Sequence, residues 1–371
     1  MGYAENGIDT IHAVVISNCS NDGHIESWHT VGGIAGRLYK YHTVKNCINH
    51  GEIVATREYD LEAEKQYLTT SSAAAGIVGQ TYQNCVVENC VNTANVSGLA
   101  ADCGGIVGCV LGPVNINNVY NNGNVTGFMY VAGLIGDVYS GSYYGGKPTM
   151  TNAYTTGSVT ATREATTYYS NICGYSQNAW TAVTNCFFPD TLAAGKYDKT
   201  EQQASMAFFV SKDMVATLGS AYVWNEAAFP MLSLFSDDAE AQLWAAYYQV
   251  ADGDSATHIT NAVTLPQLSQ LKWSATGAMT IQDGKAVPTA KGEATLTVTN
   301  GTNSRTFAFV CDPASTIKGD VNGDGKVDVS DVTTLINVIL GTTQSQAADV
   351  NEDGTVDVSD VTALINIILG M

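Results

Sequence analysis

The sequence has little charge, and the charge that it has is mostly negative. Only 14% of its 371 residues are charged, and 16 basic residues stand against 35 acidic ones, for a formal net charge of −19. This balance speaks against partners such as nucleic acids and anionic membranes. No run of about 18 apolar residues is present, so membrane insertion is not expected. The 36 glycines, the 19 tyrosines and the many Asn, Thr and Ser residues suggest a β-rich extracellular protein.

Two short phrases recur over residues 1–190. The first is rich in glycine and occurs at 32–36 (GGIAG), 75–79 (AGIVG), 104–108 (GGIVG), 132–136 (AGLIG) and, degraded, at 170–174 (SNICG). The second follows the pattern N-[CVA]-x-N-x-G-x-[VI] and starts at residues 18, 46, 89, 118 and 152, with a remnant at 185–192. A repeat unit of about 28 residues, lengthened by insertions, indicates a solenoid.

The repeats predict a right-handed parallel β-helix with about three short strands per unit. One inward ladder should consist of Ile34, Ile77, Ile106 and Leu134, and another of Ile25, Ile53, Val96, Val125 and Val159. The leading asparagines of the second phrase should form a stacked amide ladder at a turn: Asn18, Asn46, Asn89, Asn118 and Asn152.

The nine cysteines do not indicate a disulfide framework. Cys19, Cys47, Cys90 and Cys186 occupy the same place in the repeat that Val119 and Ala153 fill in other units. A position that accepts Cys, Val and Ala is a small buried apolar site, where a free thiol behaves as a hydrophobic group.

The repeat phrases resemble the GLUG-type repeats of bacterial surface proteins. That resemblance implies adhesion or display, with a glycan or a host or cell-surface molecule as the ligand. Two insertions, 54–72 and 137–149, interrupt the units, and the second is rich in Tyr and Gly. If exposed, Tyr139, Tyr143 and Tyr144 form a candidate platform for stacking against sugars.

Residues 191–236 are expected to cap the C-terminal end of the solenoid, because terminal repeats need a polar cover. Helical character is predicted around 201–206 and 211–218, with Gly219 as the stop, and 236–242 reads as a polar linker. Residues 243–313 show the period of 2 that is typical of strands. They resemble a bacterial Ig-like β-sandwich, which would act as a spacer. Predicted strands are 262–265, 271–274, 280–282, 294–299 and 305–310.

The C-terminal residues contain a duplicated sequence motif. Residues 320–341 and 349–370 are offset by 29 positions and agree at 18 of 22. Each copy places oxygen-bearing side chains at loop positions 1, 3, 5, 9 and 12, with glycine at position 6, which is the EF-hand spacing for Ca²⁺. The predicted ligands, with position 7 acting through its main-chain carbonyl, are Asp320, Asn322, Asp324, Lys326, Asp328 and Asp331, then Asp349, Asn351, Asp353, Thr355, Asp357 and Asp360. Two calcium ions are therefore expected.

A helix is predicted after each loop, since apolar residues recur at i, i+3, i+4 and i+7. These stripes are Val332, Leu335, Ile336, Ile339 and Leu340, then Val361, Leu364, Ile365, Ile368 and Leu369. Gly341 and Gly370 should end the helices, and Ser330 and Ser359 are expected to cap their N-termini.

Two calcium loops, each followed by a helix and lacking an entering helix, resemble a dockerin over residues 317–371. The resemblance implies a small all-α, EF-hand-like module that binds a cohesin domain of a scaffold protein in a cellulosome-like, polysaccharide-degrading assembly. It also implies secretion, with attachment to the bacterial cell surface through the scaffold. The family contacts carry over to Val329, Ser330, Ile336 and Asn337, and to Val358, Ser359, Ile365 and Asn366. Because the two sets are identical, either helix is expected to face the cohesin.

No catalytic constellation is evident in the sequence, and the most favoured reading is a non-catalytic component. The acids of the repeats (Asp22, Glu26, Glu52, Glu88, Asp102 and Asp137) share no register, and His24 and His29 should lie on opposite faces of a strand. Two alternatives remain open. One is the C-terminal part of a longer carbohydrate-active enzyme or protease, since the chain begins inside a repeat without a visible signal peptide. The other is a β-helix polysaccharide hydrolase or lyase.

Overall fold

The computed structural model shows a mainly β protein. It describes residues 3–4, 13–57, 72–99, 102–139, 146–162, 168–176, 182–246, 257–313, 317–343, 345 and 347–371. The chain divides into two compact units, Met1–Ala245 and Ala246–Met371. None of the helices in these described ranges is long and apolar enough to cross a membrane.

Four stacked parallel sheets, here named A to D, build the first unit as a solenoid. Sheet A contains Tyr3–Ala4, Ala35–Leu38, Val78–Thr81, Val107–Leu111, Ile135–Tyr139 and Cys173–Ser176. Sheet B contains Val15–Ser17, Ser20–Asn21, Thr43–Asn49, Cys85–Asn92, Val114–Asn121, Thr149–Thr155, Ala182–Pro189 and Gln203–Ala204. Sheet C contains Ile25–Ser27, Ile53–Ala55, Val96–Gly98, Val125–Gly127 and Val159–Ala161. Sheet D contains Val31–Gly32, Ala73–Ala75, Asp102–Gly104, Tyr130–Ala132 and Tyr168–Ser170.

Each repeat contributes a strand to sheets B, C, D and A in turn, so a rung has four strands rather than the three expected. The glycine-rich phrase supplies the extra strand, because the chain bends at its centre and places strands in both D and A. Sheet D then lies close against the outer face of sheet A. A Cβ on Gly108 of sheet A would lie only 2.9 Å from the Cβ of Ala73 in sheet D. The repeated glycine is thus required by the close approach of two sheets.

Two large apolar cores fill the described part of the solenoid, one between sheets A and B and one between C and D, and Ala73, Cys109 and Leu111 form a smaller third cluster. The predicted ladder of Ile34, Ile77, Ile106 and Leu134 lies in the first core. Ile53, Val96 and Val125 of the second predicted ladder are buried in the other core, with Ile25 and Val159 partly buried against it. Both inward ladders are therefore confirmed.

The predicted asparagine ladder is also present. Each side-chain amide donates to the side-chain oxygen of the asparagine one rung back, from Asn46→Asn18 at 3.2 Å to Asn152→Asn118 at 3.3 Å. Asn185 of the degraded repeat extends the ladder, donating to Asn152 at 3.0 Å. All six residues adopt a left-handed conformation, with φ between 50° and 55°. Asparagine tolerates this conformation better than most residues, which explains its recurrence at the turn.

A second amide ladder, which the sequence did not reveal, runs through the interior. It uses the second asparagine of the repeat phrase: Asn21 donates to Asn49, Asn49 to Asn92 and Asn92 to Asn121, at 2.6–2.7 Å. Asn49, Asn92 and Asn121 are fully buried, and each also donates to a main-chain carbonyl two residues ahead. Buried amides need such partners, so this ladder fixes the turn and the register together.

The cysteine position of the repeat is a buried apolar site, as predicted. Cys47, Cys90, Val119, Ala153 and Cys186 face one another across successive strands of sheet B. All five are buried, whereas Cys19, which the prediction also placed there, is only partly buried. All nine cysteines of the chain are free thiols.

The segment after the last repeat covers both the end and the flank of the solenoid. Gln203–Ala204 pairs with the last long strand, and Asp198 accepts hydrogen bonds from the main-chain N–H groups of Asn171 and Ile172. The segment then contacts earlier rungs: Tyr222 donates to the Asn152 carbonyl at 2.8 Å. It contains the 3₁₀ helices Thr200–Gln202 and Ser233–Phe235, the strands Tyr222–Val223 and Met231–Leu232, and the helices α1 (Met206–Phe209), α2 (Lys212–Leu218) and α3 (Ala239–Ala245).

The polar linker expected at 236–242 is wrong, because helix α3 occupies much of it. Ala241, Gln242 and Leu243 are buried, and Asp238 contacts His50 of an early rung, with Oδ2 3.3 Å from Nε2. The polar residues of this segment have their hydrogen-bond partners inside the first unit. A polar composition alone therefore did not distinguish this helix from a linker.

The second unit begins with a β region of two sheets. One has the strand order Thr257–Ile259, Ser304–Cys311, Gly292–Thr299 and Lys272–Gly277, and the other the order Val263–Thr264, Lys285–Pro288 and Met279–Gln282. Four of the five predicted strands lie on observed ones with shifted ends; the first is reduced to two residues. Thr257–Ile259 and Lys285–Pro288 were not expected. Asp283 and Gly284 form the predicted hairpin turn, with φ of 50° and 71°.

The buried amide ladder predicts a large effect of Asn92→Ala on stability. The substitution leaves the Asn49 amide and the Ala94 carbonyl without their partner, which should lower the free energy of unfolding by about 1–3 kcal/mol. Chemical denaturation of the full chain measures this. Asn115→Ala is the matched control, because Asn115 is exposed on sheet B of the next rung; it should change stability by no more than about 0.5 kcal/mol. Equal effects of the two substitutions would contradict the role of the ladder.

Candidate functional site

The duplicated C-terminal unit folds as two loop–helix pairs. Helix α4 is Val329–Ile339 and helix α5 is Val358–Leu369, each preceded by its acidic loop. Leu335 of α4 and Leu364 of α5 are fully buried and share a small core with Val321 and Val350 from the loops. The two copies therefore bury equivalent residues against each other, which places the loops in equivalent settings.

Main-chain N–H groups organise the first loop around two carboxylates. Asp320 accepts hydrogen bonds from the N–H groups of Gly323 and Gly325, both at 2.9 Å. Asp331 accepts from Asn322 at 2.9 Å through one oxygen and from Asp328 at 2.9 Å through the other. Gly325 has φ of +86°, the sharp turn that position 6 of such a loop requires.

The second loop repeats this arrangement. Asp360 accepts from the N–H groups of Asn351 at 3.0 Å and Asp357 at 2.9 Å, and Asp349 accepts from Gly354 at 2.9 Å. Gly354 has φ of +85°. Asp331 and Asp360 are both fully buried, so the position-12 carboxylates are held in place from every side.

The helix caps differ from the prediction. Asp328 and Asp357 are the N-caps, not Ser330 and Ser359. Each forms a capping box with the aspartate three residues later, because the side chains of both residues accept from main-chain N–H groups. The serines lie inside the first turn, and their hydroxyls donate to the capping aspartates at 2.6 Å. A carboxylate is preferred at this end because it also complements the helix dipole.

These hydrogen bonds favour the ionised carboxylates. The pKa of Asp328 is lowered, first by the Ser330 hydroxyl, and the pKa of Asp357 is lowered in the same way by the Ser359 hydroxyl. The pKa of Asp353 is lowered, first by the Thr355 hydroxyl. The lowered pKa values favour the ionised, negatively charged form of these three side chains.

The donor set of each loop fits a calcium ion. Each loop offers four aspartates, one asparagine and a main-chain carbonyl at position 7, all oxygen ligands, with neither sulfur nor imidazole. Oxygen-only donors on a loop with a glycine turn are what Ca²⁺ prefers. Each loop has more acidic than basic side chains, with Lys326 beside Asp328 in the first loop, so a divalent cation would offset the repulsion among the acids.

The outer faces of the two helices carry an apolar stripe with no partner within the described chain. Val329 and Val358 are each 71% exposed, and Leu340 and Leu369 are 69% and 63% exposed. Ile336 and Ile365 lie between them, also exposed. We name Val329, Ile336 and Leu340 the first stripe, and Val358, Ile365 and Leu369 the second stripe. All eight side chains predicted to contact a partner are exposed.

The stripes correct the sequence interpretation of the helices. Val332, Leu335 and Ile339 face the core as predicted, but Ile336 and Leu340, which were placed on the same face, point to solvent. The second helix differs from the prediction in the same way at Ile365 and Leu369. Leu340 and Leu369 were missed as contact candidates. Their spacing of four residues from Ile336 and Ile365 was the signal that could have found them.

The predicted sugar platform is only partly within the described residues. Tyr139 ends a strand of sheet A and is 40% exposed, whereas Tyr143 and Tyr144 lie outside the described residues. A different aromatic cluster is present beside it: the half-buried Tyr130, Tyr168, Tyr175 and Tyr197 have neighbouring rings 4.8–6.4 Å apart. Lys196 lies over the Tyr168 ring at 4.4 Å.

Two of the repeat acids come together although they share no register. The carboxylates of Asp102 in sheet D and Asp137 in sheet A lie within 4.8 Å of each other and of the Cys109 thiol. The fold of sheet D over sheet A produces this contact, which sequence spacing did not reveal. His24 and His29 have different partners, Glu52 at 3.1 Å and Arg57 at 3.1 Å.

Comparison with known proteins identifies the C-terminal unit. Residues 318–369 match the family model of the dockerin type I domain. The C-terminus of the chain is a dockerin. Such a domain implies a cohesin partner, calcium binding and assembly into an extracellular cellulosome. No curated protein and no solved structure matches the chain, so the solenoid and the β region are described by their structure alone.

The dockerin loops predict a specific effect of Asp360→Asn. An amide accepts fewer hydrogen bonds than a carboxylate, so one loop N–H group loses its partner and a charged ligand is lost. We expect the free energy of unfolding of the calcium-free dockerin to fall by about 1–3 kcal/mol and calcium affinity to fall at this loop. Unfolding of the full chain followed by helical circular dichroism, together with calcium titration, measures both.

Glu352→Gln is the matched control for this experiment. It removes the same charge from the same loop, but Glu352 is exposed at loop position 4, where it pairs with Lys318. If Glu352→Gln weakened calcium binding as much as Asp360→Asn, net charge and not ligation would explain the result.

Proposed function

We propose that this chain is a secreted, non-catalytic component of a polysaccharide-degrading assembly, which its dockerin attaches to a cohesin in two orientations. The stripes carry this proposal. The first and second stripes contain the same residue types at the same helical positions, and both are exposed. Apolar groups left uncovered in this way mark an interaction surface. A rotation of 180° would present either stripe to the same cohesin face.

The contacts proposed for each orientation form one set per helix. Val329, Ser330, Ile336 and Asn337 serve one orientation, and Val358, Ser359, Ile365 and Asn366 serve the other. The exposed ends of the stripes, Leu340 and Leu369, extend each set by one helical turn. Since the two sets differ at no contact position, the two modes should have nearly equal affinity.

Two calcium ions are proposed to act by stabilising the fold of the dockerin. Each position-12 aspartate belongs both to the ligand set and to the capping box of the following helix. An ion held by the loop therefore fixes the start of the helix that carries the contact residues. Metal binding and folding are coupled in this arrangement.

The solenoid is proposed to be the displayed part, for adhesion or for binding a glycan at the bacterial cell surface. The half-buried cluster of Tyr130, Tyr168, Tyr175 and Tyr197 supports a glycan, because aromatic faces stack on sugars and Lys196 supplies a hydrogen-bond donor beside them. The β region is proposed as an Ig-like spacer. Asp102 and Asp137 are 1% and 0% exposed, so this pair does not favour the alternative of a β-helix hydrolase.

Stripe substitutions test the two orientations. Val329→Asp with Ile336→Asp removes the first stripe only, and the second mode should keep the Kd for a cohesin within about twofold, since one of two equal modes is lost. The same pair of changes in both helices should weaken binding by at least about 100-fold, because charged groups would be buried in both modes. Calorimetry of the full chain against a panel of cohesins in calcium measures the Kd.

Thr343→Asp adds an exposed charge outside both stripes and serves as the control. Complete loss of binding after removal of the first stripe alone would refute the second orientation. Binding that persists after calcium is removed with a chelator would refute the calcium-dependent mechanism.

Tyrosine substitutions test the glycan proposal. Tyr168→Ala and Tyr197→Ala together should reduce glycan-array binding of the full chain by at least about tenfold, since each stacked ring contributes roughly 1 kcal/mol. Tyr39→Ala is the control, because Tyr39 pairs with Tyr82 at 4.9 Å in an earlier part of the chain. Unchanged binding of the double variant would remove the cluster from the proposal.

A further inference from the structure

The solenoid contains a buried polar cluster that neither the dockerin nor the repeat pattern explains. It lies where sheet D covers sheet A, and it consists of Asp102, Cys109 and Asp137, with Gln80 beside them. Their exposures are 1%, 0%, 0% and 4%. One carboxylate oxygen of each aspartate and the Cys109 sulfur lie within 4.8 Å of one another.

Strand register explains how the cluster forms. Gln80, Cys109 and Asp137 occupy the same position on three successive strands of sheet A. Asp102 stands on sheet D, and the close approach of D to A brings it over them. On the next rung, Tyr130 follows Asp102 and Tyr175 follows Asp137, and their rings are 4.8 Å apart. The aromatic rings close this side of the cluster.

The cluster has a surplus of hydrogen-bond acceptors. Both carboxylate oxygens of Asp137 and the Oε1 atom of Gln80 are buried without a hydrogen-bond partner. Burying an anion that lacks a compensating group costs several kcal/mol. A second carboxylate and a thiol, both able to carry negative charge, lie beside Asp137, so a group that offers positive charge is what these atoms require.

Protonation of one carboxylate would meet only part of this need for positive charge and hydrogen-bond partners. Burial, together with the neighbouring Asp102 carboxylate, raises the pKa of Asp137 well above its usual range. A protonated Asp137 would have the Asp102 carboxylate beside it as an acceptor for its O–H, but it would still leave the Gln80 oxygen and one of its own oxygens without a partner. A divalent cation would contact all of these acceptors together.

We propose that Asp102, Cys109 and Asp137 bind one divalent transition-metal ion of the Zn²⁺ class inside the solenoid, with the Gln80 amide oxygen as a fourth donor. The sulfur ligand selects this class over Ca²⁺ and Mg²⁺, which take oxygen ligands. Zinc binds thiolates at about 2.3 Å and carboxylates at about 2.0–2.2 Å, so the ligand atoms of a tetrahedral site lie roughly 3.3–3.8 Å apart. Ligand atoms that are up to 4.8 Å apart in the structure have to move together by about 1 Å to share one ion.

The role of this ion would be structural. Four donors close a tetrahedral zinc site and leave no position for a substrate. Because the cluster joins three strands of sheet A to sheet D, the ion would fasten the two sheets at the centre of the solenoid. The site is enclosed, so the ion would enter as the chain folds.

The test uses the full chain, refolded in excess calcium with Zn²⁺ or with a chelator that prefers zinc over calcium. After gel filtration, elemental analysis should find one zinc ion per wild-type chain. Refolding with Co²⁺ in place of zinc should produce the absorption band of a thiolate bound to cobalt. The dockerin loops offer no sulfur ligand, so this band does not come from them, and the cysteine variants below locate the thiolate.

Cys109→Val and the nearly isosteric Asp137→Asn should each lower zinc affinity at least tenfold, and the cobalt–thiolate band should be absent from Cys109→Val. Cys90→Val is the matched control, because Cys90 is equally buried and its register partner on the next strand is Val119. It should bind zinc like the wild type. Circular dichroism checks that each variant is folded, and Asp137→Asn preserves the test if Cys109→Val does not fold.

A wild-type chain that holds no more zinc than Cys109→Val would overturn the proposal and would leave a shared proton or a buried water as the compensating group. A cobalt spectrum without thiolate character, or equal loss of the band in Cys90→Val, would overturn it as well.

Discussion

Close stacking of parallel backbones is the interaction on which the first unit depends. Each rung pairs with the next through four sheets, and the repeated glycine of sheet A has no room for a side chain because sheet D lies against it. The recurring glycine and asparagine both follow from this stacking. Glycine permits the close approach of the two sheets. Asparagine permits the left-handed turn and also joins successive rungs through its side-chain amide. The cores then fill with small aliphatic residues and free thiols.

The dockerin depends on carboxylates that serve two structures at once. Asp328 and Asp331 belong to the calcium loop and also to the N-terminal cap of helix α4, and Asp357 and Asp360 repeat this in the second copy. An ion in the loop would therefore be coupled to the start of the helix. In the proposed function this coupling links calcium to recognition of a cohesin through the exposed stripes on those helices.

The dockerin and the solenoid differ in which side chains they expose and which they bury. The dockerin exposes apolar side chains for a partner and holds its acids in loops at the surface. The solenoid hides its most unusual acids, Asp102 and Asp137, between two sheets, where a substrate has no access and where compensation has to come from within. The proposed roles follow this difference: the dockerin is proposed to attach the chain, the buried cluster to stiffen the solenoid, and the half-buried tyrosines beside it to bind a ligand.

The sequence by itself determined the local and periodic features. The period of the repeat specified the solenoid, its inward ladders and the first asparagine ladder, and the spacing of oxygen ligands specified the dockerin, because these features depend on residue intervals along the chain. Prediction from the sequence misplaced the helix caps, the exposed face at Ile336 and Leu340 and the linker at 236–242. At these places neighbouring positions compete for one role, and the sequence does not decide between them. Only the tertiary structure decided how sheet D closes over sheet A. That contact brings Asp102, Cys109 and Asp137 together. It depends on the distance between two sheets, and this distance cannot be predicted from residue intervals along the chain.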